Sequence, residues 1–288
     1  MTAHHHHTTD WGARGAELER EGEIHGTCFA AAAAWLREVT DLHGTAVRRV
    51  LDVGSGPGVA TCLLARAFPQ AEAVAVDGSP DLLDRARERA AAQGLAGRLS
   101  TRRAGLPEDF GALPPADLIW SSKAVHHLGD QQAALDALAA TLRRGGVLAV
   151  AERVAPPRCL PRDTGIGRPG LQSRLDALYD EGFTEMRERL PGSVRAVEDW
   201  RAMLTAAGLT PTGTRTFLVD LPAPPSPQVR EQAHAHLSRL RDRAGDRLDA
   251  EDRDALEQLL DRAAPTGVLR RPDVFWLSTL TVHTARAA

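Results

Sequence analysis

The chain is poor in the residue types that mark several classes of protein. Its 288 residues include three cysteines and one tyrosine, and aromatic residues make up only 4%. Cys28, Cys62 and Cys159 lie far apart and form no CxxC pair, so neither a disulfide framework nor a cysteine zinc site is indicated. The sequence also lacks an apolar run of about 18 residues, which argues against a membrane span.

An excess of charge of one sign is also missing. The chain carries 35 basic and 38 acidic residues, and its formal net charge is −3. This balance gives no sign of polyanion binding, so no nucleic-acid partner is expected. The first residues are polar and unlike a signal peptide, so a cytoplasmic protein without membrane association is the simplest interpretation.

The first residues are predicted to form a flexible terminus over 1–15. The histidines at 4–7 are interpreted as a part of that terminus, either native or left from a tag. A metal site is not expected there or elsewhere in the chain.

The apolar residues that are present, 43% of the chain, are enough for a sizeable core. Their spacing predicts buried strands that alternate with amphipathic helices between residues 47 and 152, which is typical of parallel strands joined by right-handed crossovers. The five strands are predicted at 47–53, 73–77, 99–103, 117–121 and 147–152.

The second half of the chain is less regular. A loop rich in proline and glycine is predicted at 155–170 and a charged helical segment at 229–263, with further helices at 172–190 and 197–207. The charged run from Arg239 to Arg262 is interpreted as a solvated helix face. Strands are predicted at 214–221 and 276–284.

A glycine-rich turn follows the first buried strand, as Gly54-Ser55-Gly56-Pro57-Gly58. Glycines let a backbone turn tightly and approach a ligand closely, and the helix that follows offers unpaired N–H groups at its positive end. Asp77 ends the second strand, where a carboxylate can accept hydrogen bonds from both hydroxyls of a ribose. A nucleotide-like ligand is therefore expected at this turn.

The turn departs from the dinucleotide-binding fingerprint GxGxxG. The third glycine of that fingerprint would fall on Val59, and an acid, Asp52, stands two residues before the first glycine. A nicotinamide-dependent oxidoreductase is thus a disfavoured alternative. A cofactor-binding regulatory protein without turnover is a second alternative, which the motif does not exclude.

Residues 50–58 resemble motif I of the class I S-adenosylmethionine-dependent methyltransferases. The segment 117–128, DLIWSSKAVHHL, is similar to the fourth-strand motif of that family, and 142–148, LRRGGVL, is similar to its LxPGG segment. The resemblance covers about 47–152 and continues weakly through 197–221 and 276–284.

The resemblance implies an α/β, Rossmann-like fold. Its mostly parallel seven-stranded sheet would have the order 3-2-1-4-5-7-6, with helices on both faces, N-terminal helices and a helical insertion before the last strand. One methyltransferase domain would span 16–288, with a core at 45–153, a lid or acceptor segment at 155–195 and the insertion at 226–270.

The resemblance also implies cofactor contacts, position by position. Asp52 would hold the amino end of S-adenosylmethionine, Asp77 its ribose and Gly78 and Ser79 would border its adenine. The remaining cofactor residues implied are Gly54, Ser55, Gly56 and Gly58 in the turn, Gly105 and Leu106 near the adenine, and Ser121, Ser122 and Lys123 near the sulfonium. The family often has an acid after its third strand; here Ala104-Gly105-Leu106 stands there, and Asp109 is the acid nearby.

Catalytic and acceptor residues are less well defined by the sequence. His126, His127 and Tyr179 are candidate catalytic residues, and Glu152 and Arg153 are candidate substrate ligands because they end the fifth strand. The implied reaction moves a methyl group to a small-molecule acceptor in specialised metabolism and leaves S-adenosylhomocysteine. Whether oxygen, nitrogen or carbon is methylated stays open, as does homo-oligomer formation.

Overall fold

The computed structural model describes residues 14–288. The histidine run and nearly all of the predicted flexible terminus lie outside the described residues. Seven strands form one sheet in the order β3-β2-β1-β4-β5-β7-β6, which confirms the predicted order. Strands β1 to β5 run parallel, whereas β7 pairs antiparallel with both β5 and β6.

The strands agree closely with the apolar runs of the sequence. The first three strands are within two residues of their predicted bounds, and β5 begins earlier than predicted, since Leu142 pairs with Ala116 before a bulge. The strands are β1 (Arg49–Val53), β2 (Glu72–Asp77), β3 (Leu99–Arg103), β4 (Ala116–Ser122), β5 (Leu142–Glu152), β6 (Thr210–Leu221) and β7 (Trp276–Arg286).

Helices cover both faces of the sheet. They are α1 (Gly15–Ile24), α2 (Gly26–Leu42), α3 (Val59–Ala67), α4 (Pro80–Ala92), α5 (Gln131–Thr141), α6 (Leu171–Glu188), α7 (Trp200–Ala206), α8 (Pro227–Ala244) and α9 (Ala250–Leu260). Alternate residues of β4 serve the two faces, since Leu118 and Trp120 pack with α2 and α8 while Ile119 packs with α5. This two-sided burial explains the continuous apolar runs of the sequence.

Helix α1 continues past Gly22 to Ile24, and Gly22 lets it approach α3, since a Cβ there would lie 2.8 Å from Val59 Cγ2. One local prediction is wrong. The predicted helix 229–263 is two helices, because the chain turns at Gly245, which has a φ of +52°, and Asp249 caps α9.

The predicted segments of the domain are placed as follows. The segment 155–195 contains α6, and the insertion 226–270 contains α8 and α9, which lie between β6 and β7 in the chain. Helices α6 and α8 pack against each other. Across residues 14–288, no helix is both long enough and apolar enough to cross a bilayer.

Candidate functional site

The glycine loop, residues 54–58, joins β1 to α3 and is fixed to the neighbouring strand. The amides of Gly54 and Ser55 both donate to the Val76 carbonyl, at 2.9 and 3.0 Å. Gly54, Gly56 and Gly58 have φ values of +76°, +53° and +74°, a region in which only glycine is free of strain. The loop therefore stands at the carboxyl edge of the parallel strands, where ligands of such sheets bind.

The three glycines differ in the space around them. A Cβ would lie 2.4 Å from Ala124 Cβ at Gly54 and 2.7 Å from Ala86 Cβ at Gly58, but it would meet nothing within 4 Å at Gly56. Gly54 and Gly58 are thus needed for packing. The open space beside Gly56 is what a ligand in close contact with the loop would use.

This difference predicts separate effects on stability and binding. Gly56→Ala should cost about 1–2 kcal/mol in unfolding free energy through its positive φ alone, and Gly58→Ala should cost more because of the added contact with Ala86. Only Gly56→Ala should fold well yet bind S-adenosylmethionine weakly, as measured by thermal unfolding and calorimetric titration. Gly94→Ala is the matched control, since Gly94 has a φ of +70° and open space in the turn after α4. Equal cofactor affinity of the Gly56 and Gly94 variants would contradict the expectation.

Asp77, at the end of β2, lies beside the glycine loop, and the two together border the candidate cofactor cleft. Its Oδ2 accepts the Gly56 amide and its Oδ1 accepts the Ser79 amide, each at 2.9 Å. Partial burial raises the pKa of this carboxyl above its usual value, and the amides oppose that rise. Ser79 itself caps α4 by accepting the Leu82 amide at 3.5 Å. Asp77 is therefore held in place and still has lone pairs to accept further donors.

Asp52 is a buried carboxylate on β1 beneath the glycine loop. Only 2% of its surface is exposed, and its Oδ2 accepts the Thr61 hydroxyl at 2.5 Å. Burial raises its pKa from 3.8 to about 7. Such a carboxylate is costly to ionise on its own and would be stabilised by a cationic amino group beside it.

At the predicted adenine end, the backbone of Gly105 is hydrogen-bonded to Asp109. Gly105 donates its amide to Asp109 Oδ2 at 2.7 Å and accepts the Asp109 amide at 2.9 Å, so both of its backbone groups are engaged locally. Asp109 thus stands next to the position of the missing family acid. Gly78 lies against the same turn, since a Cβ on it would be 3.5 Å from the Ala104 carbonyl. Leu106 follows directly in this turn.

The three residues predicted near the sulfonium have different surroundings. Ser121 Oγ donates to the Val53 carbonyl at 3.1 Å, and this hydroxyl joins β4 to β1. Ser122 Oγ is buried without a hydrogen-bond partner among residues 14–288. Lys123 Nζ forms an ion pair with Glu21 at 2.6 Å. Ser122 is therefore the serine whose hydroxyl can still bind a ligand group.

Glu21 on α1 was not predicted from the sequence. Its pKa falls from 4.5 to about 2, chiefly because of Lys123, so the pair is ionised at neutral pH. Ion pairs from Arg85 to Glu19 at 2.9 Å and from Arg89 to Glu23 at 3.0 Å hold α1 on α4. Helix α1 thus covers the side of the cleft near Lys123, a long-range contact that no local pattern indicates.

The predicted catalytic and substrate residues come together in a second group, the histidine–tyrosine cluster, made of His126, His127, Glu152, Arg153, Tyr179 and Phe183. His126 Nδ1 lies 2.7 Å from Glu152 Oε2, and the His126 ring is 4.2 Å from the His127 ring. Glu152 is 5% exposed, and its Oε1 has no hydrogen-bond partner in the described chain. Burial lowers the pKa of His127 to about 3, so that ring is neutral.

Helix α6 provides the aromatic part of the cluster. The Phe183 ring is 5.5 Å from His126 and lies nearly parallel to Tyr179, at 6.4 Å between centroids. The spacing of Tyr179 and Phe183, four residues apart on one helix, could have identified Phe183 from the sequence. Arg187, one turn further, donates to the His126 carbonyl and so fastens α6 to the turn after β4.

Two arginines of the charged run contact neighbouring elements. The guanidinium of Arg243 is 5.0 Å from the Tyr179 centroid, and Arg153 lies 5.4 Å from the same centroid; both arginines are exposed. Arg239 is half-buried and forms an ion pair with Glu17 of α1. The interpretation of this run as a solvated helix face is therefore wrong for Arg239, because α8 packs on α1 there.

Metal-ligating side chains do not gather at either group. Across residues 14–288, no three His, Cys, Asp or Glu side chains are grouped so that they could hold a metal ion.

Comparisons with known proteins agree with this arrangement. A sequence model of a methyltransferase domain matches residues 50–146. A trans-aconitate 2-methyltransferase of Methylobacterium radiotolerans is 32% identical over 61% of this chain and 72% of its own. A demethylmenaquinone methyltransferase of Thermus thermophilus is 33% identical over 63% of this chain and 84% of its own.

The fold comparison agrees with the strand order. A methyltransferase solved in complex with a Haloferax volcanii methyltransferase activator has a TM-score of 0.51, with 19% identity over 96% of this chain and 97% of its own. This similarity concerns the fold alone. The two relatives and the matched methyltransferase domain show that the chain is an enzyme of the class I S-adenosylmethionine-dependent methyltransferases, and the glycine loop that precedes Asp77 agrees with this.

Proposed function

We propose that this methyltransferase acts on a small-molecule acceptor bound at the histidine–tyrosine cluster. The observation that carries the proposal is the His126–Glu152 pair at the carboxyl ends of β4 and β5, the same edge of the sheet as the glycine loop. The two relatives are named for acceptors of different kinds, trans-aconitate and demethylmenaquinone, both small molecules. A role in specialised metabolism and a cytoplasmic location stay predictions.

The residues of the cleft fit S-adenosylmethionine. The buried Asp52 carboxylate suits its amino group, Asp77 can accept from its ribose, and the space beside Gly56 allows close contact with the loop. When bound, the cofactor supplies an electrophilic methyl group on a sulfonium. The unpartnered hydroxyl of Ser122, next to Lys123 at the end of β4, can donate to the ligand on the side toward the cluster.

The His126–Glu152 pair can move a proton. A carboxylate oxygen only accepts, so Nδ1 of His126 carries the hydrogen of this bond, which leaves the lone pair of the neutral ring on Nε2. Glu152 thereby fixes both the tautomer and the orientation of the ring, as the acid does in catalytic triads. In the proposed reaction Nε2 takes the proton of the acceptor group, whose freed electron pair forms the new bond to the methyl carbon as the carbon–sulfur bond breaks.

Alignment is the other task of the chain. Holding two reactants in line can contribute about 7–11 kcal/mol, whereas a positioned base typically adds about 10²–10⁴-fold. The Tyr179 and Phe183 rings offer an apolar wall for the acceptor body. The orphaned Glu152 Oε1 is a further acceptor, which suits an incoming O–H or N–H group.

His126→Asn is expected to lower kcat by about 10²–10⁴-fold without changing the affinity for S-adenosylmethionine, because the base lies outside the cofactor cleft. The assay follows a labelled methyl group into a panel of hydroxyl, amine and carbon acceptors. Glu152→Gln should give a fall of similar size, since a glutamine amide that donates to Nδ1 moves the ring hydrogen to Nε2 and so removes the lone pair that takes the proton. His43→Asn, at the end of α2, is the control and should leave kcat unchanged. If the His126 variant turned over at the wild-type rate, the role of the base would be refuted. If the wild-type protein labelled no small molecule of the panel, the proposed acceptor class would be refuted.

A further inference from the structure

Around the histidine–tyrosine cluster, cationic side chains outnumber carboxylates. Burial lowers the pKa of His127 most, and the charges of neighbouring side chains lower it further, in the order His126, Arg243, Arg14 and Arg187. Of the nearby carboxylates, Glu17 pairs with Arg14 and Arg239 and Glu21 pairs with Lys123, whereas Glu152 pairs with His126 through one oxygen only. The surroundings of the cluster are therefore electropositive.

Arg153, Arg187 and Arg243 have no carboxylate within ion-pair distance in the part of the chain that the structure describes. Arg187 is engaged otherwise, because it donates to the carbonyls of His126 and Leu128. The guanidinium groups of Arg153 and Arg243 instead contact the Tyr179 ring, at 5.4 and 5.0 Å from its centroid. They come from different elements, the end of β5 and helix α8, so the tertiary fold has brought two like charges to one ring. Both arginines are exposed, so water screens their repulsion and their guanidinium groups are accessible to an anion from solution.

The two ends of the cluster differ in chemistry. At the Tyr179 end stand two forked guanidinium donors, which match a carboxylate or a similar planar anion. At the His126 end stand the imidazole ring and the unpartnered Glu152 Oε1, which match a protic group. Between them the Tyr179 and Phe183 rings form an apolar surface.

We infer that the acceptor is an anionic small molecule, with a carboxylate held by Arg153 and Arg243 and a protic group presented to His126. This inference rests on the proposed small-molecule function and specifies its substrate class. Of the two acceptors named by relatives, trans-aconitate has the charge that such a guanidinium pair selects, and demethylmenaquinone has none.

Binding without turnover tests the inference. The probes are hydroxybenzoates, hydroxycinnamates and trans-aconitate, each paired with its neutral amide or ester, titrated by calorimetry into the protein saturated with S-adenosylhomocysteine. At least one carboxylate should bind the wild type at least about tenfold more tightly than its neutral partner. Arg153→Gln and Arg243→Gln should each weaken that carboxylate about tenfold and leave the neutral partner unchanged, and the Lys variants should restore part of the loss.

Arg241→Gln is the matched control. Arg241 lies two residues from Arg243 on α8, points to a different face, and pairs with Asp242 at 3.0 Å and with Glu257 at 3.6 Å. This variant should change neither affinity. The inference would be overturned if no carboxylate of the panel bound better than its neutral partner. It would also be overturned if the Arg variants weakened the binding of a carboxylate and of its neutral partner equally. Methylation of a neutral acceptor in the same panel would also overturn it but would leave the proposed small-molecule function intact.

Discussion

Asp77→Ala is expected to raise the dissociation constant of S-adenosylmethionine by about 100-fold or more. A hydrogen bond to a charged group contributes about 1.5–3 kcal/mol, and a carboxylate at the end of β2 can accept from both ribose hydroxyls. The same oxygens hold the Gly56 and Ser79 amides, so the variant also loosens the glycine loop. Calorimetric titration of the purified protein measures the affinity directly.

Two controls separate binding from folding in this experiment. Asp81→Ala changes an exposed acid in the first turn of α4 and should leave the affinity nearly unchanged. Asp77→Asn keeps the size of the side chain and one acceptor oxygen, so its loss should be intermediate. If Asp77→Ala kept wild-type affinity, the ribose role of this carboxylate would be wrong.

Asp52→Asn is expected to stabilise the ligand-free protein at pH 8 by about 2–4 kcal/mol, since one pKa unit corresponds to about 1.36 kcal/mol. Burial raises the Asp52 pKa from 3.8 to about 7, so between these values the folded protein holds a proton that the unfolded chain has released. The free energy of unfolding contributed by this group therefore falls as pH rises from about 4 to 7, and the cost is complete above pH 7. Asparagine can still accept the Thr61 hydroxyl and carries no charge.

The same variant should bind S-adenosylmethionine at least about tenfold more weakly at pH 8, because the amino group of the cofactor would lose its counter-charge. Denaturant unfolding at pH 4.5 and pH 8 measures the first effect, and the gain should shrink at the lower pH. Asp117→Asn is the contrasting variant. Asp117 is also buried but accepts the Arg48 and Arg49 amides and pairs with Arg143, so its loss should destabilise the protein. A destabilised Asp52→Asn protein with intact cofactor affinity would contradict both the burial cost and the role in binding.

Local sequence patterns were enough to locate the first strands, whereas the order of the strands in the sheet followed from the family resemblance. Strand β3 has its predicted bounds and β2 differs from its own by one residue, because apolar runs between glycine or proline turns leave few alternatives. The division of 229–263 into two helices was missed because Gly245 stands in an otherwise continuous helical pattern. Charge spacing alone does not show where such a pattern turns back on itself.

The site was predictable only as far as its residues lie in local motifs. Asp52, the glycine loop and Asp77 fall within one βαβ unit, so their proximity follows from the sequence. Glu21 and Arg243 lie far from the motif in the chain and reach the site through the packing of α1 and α8. Their roles depend on tertiary contacts, which no pattern in one sequence encodes.

A crystal structure with bound S-adenosylhomocysteine tests the central claim most directly, because it locates both ends of the ligand at once. The account predicts the amino group beside Asp52, the ribose hydroxyls on Asp77 and the sulfur facing the side of the cleft that leads to His126. A ligand whose sulfur pointed away from His126 and Glu152, or whose ribose had no contact with Asp77, would contradict it.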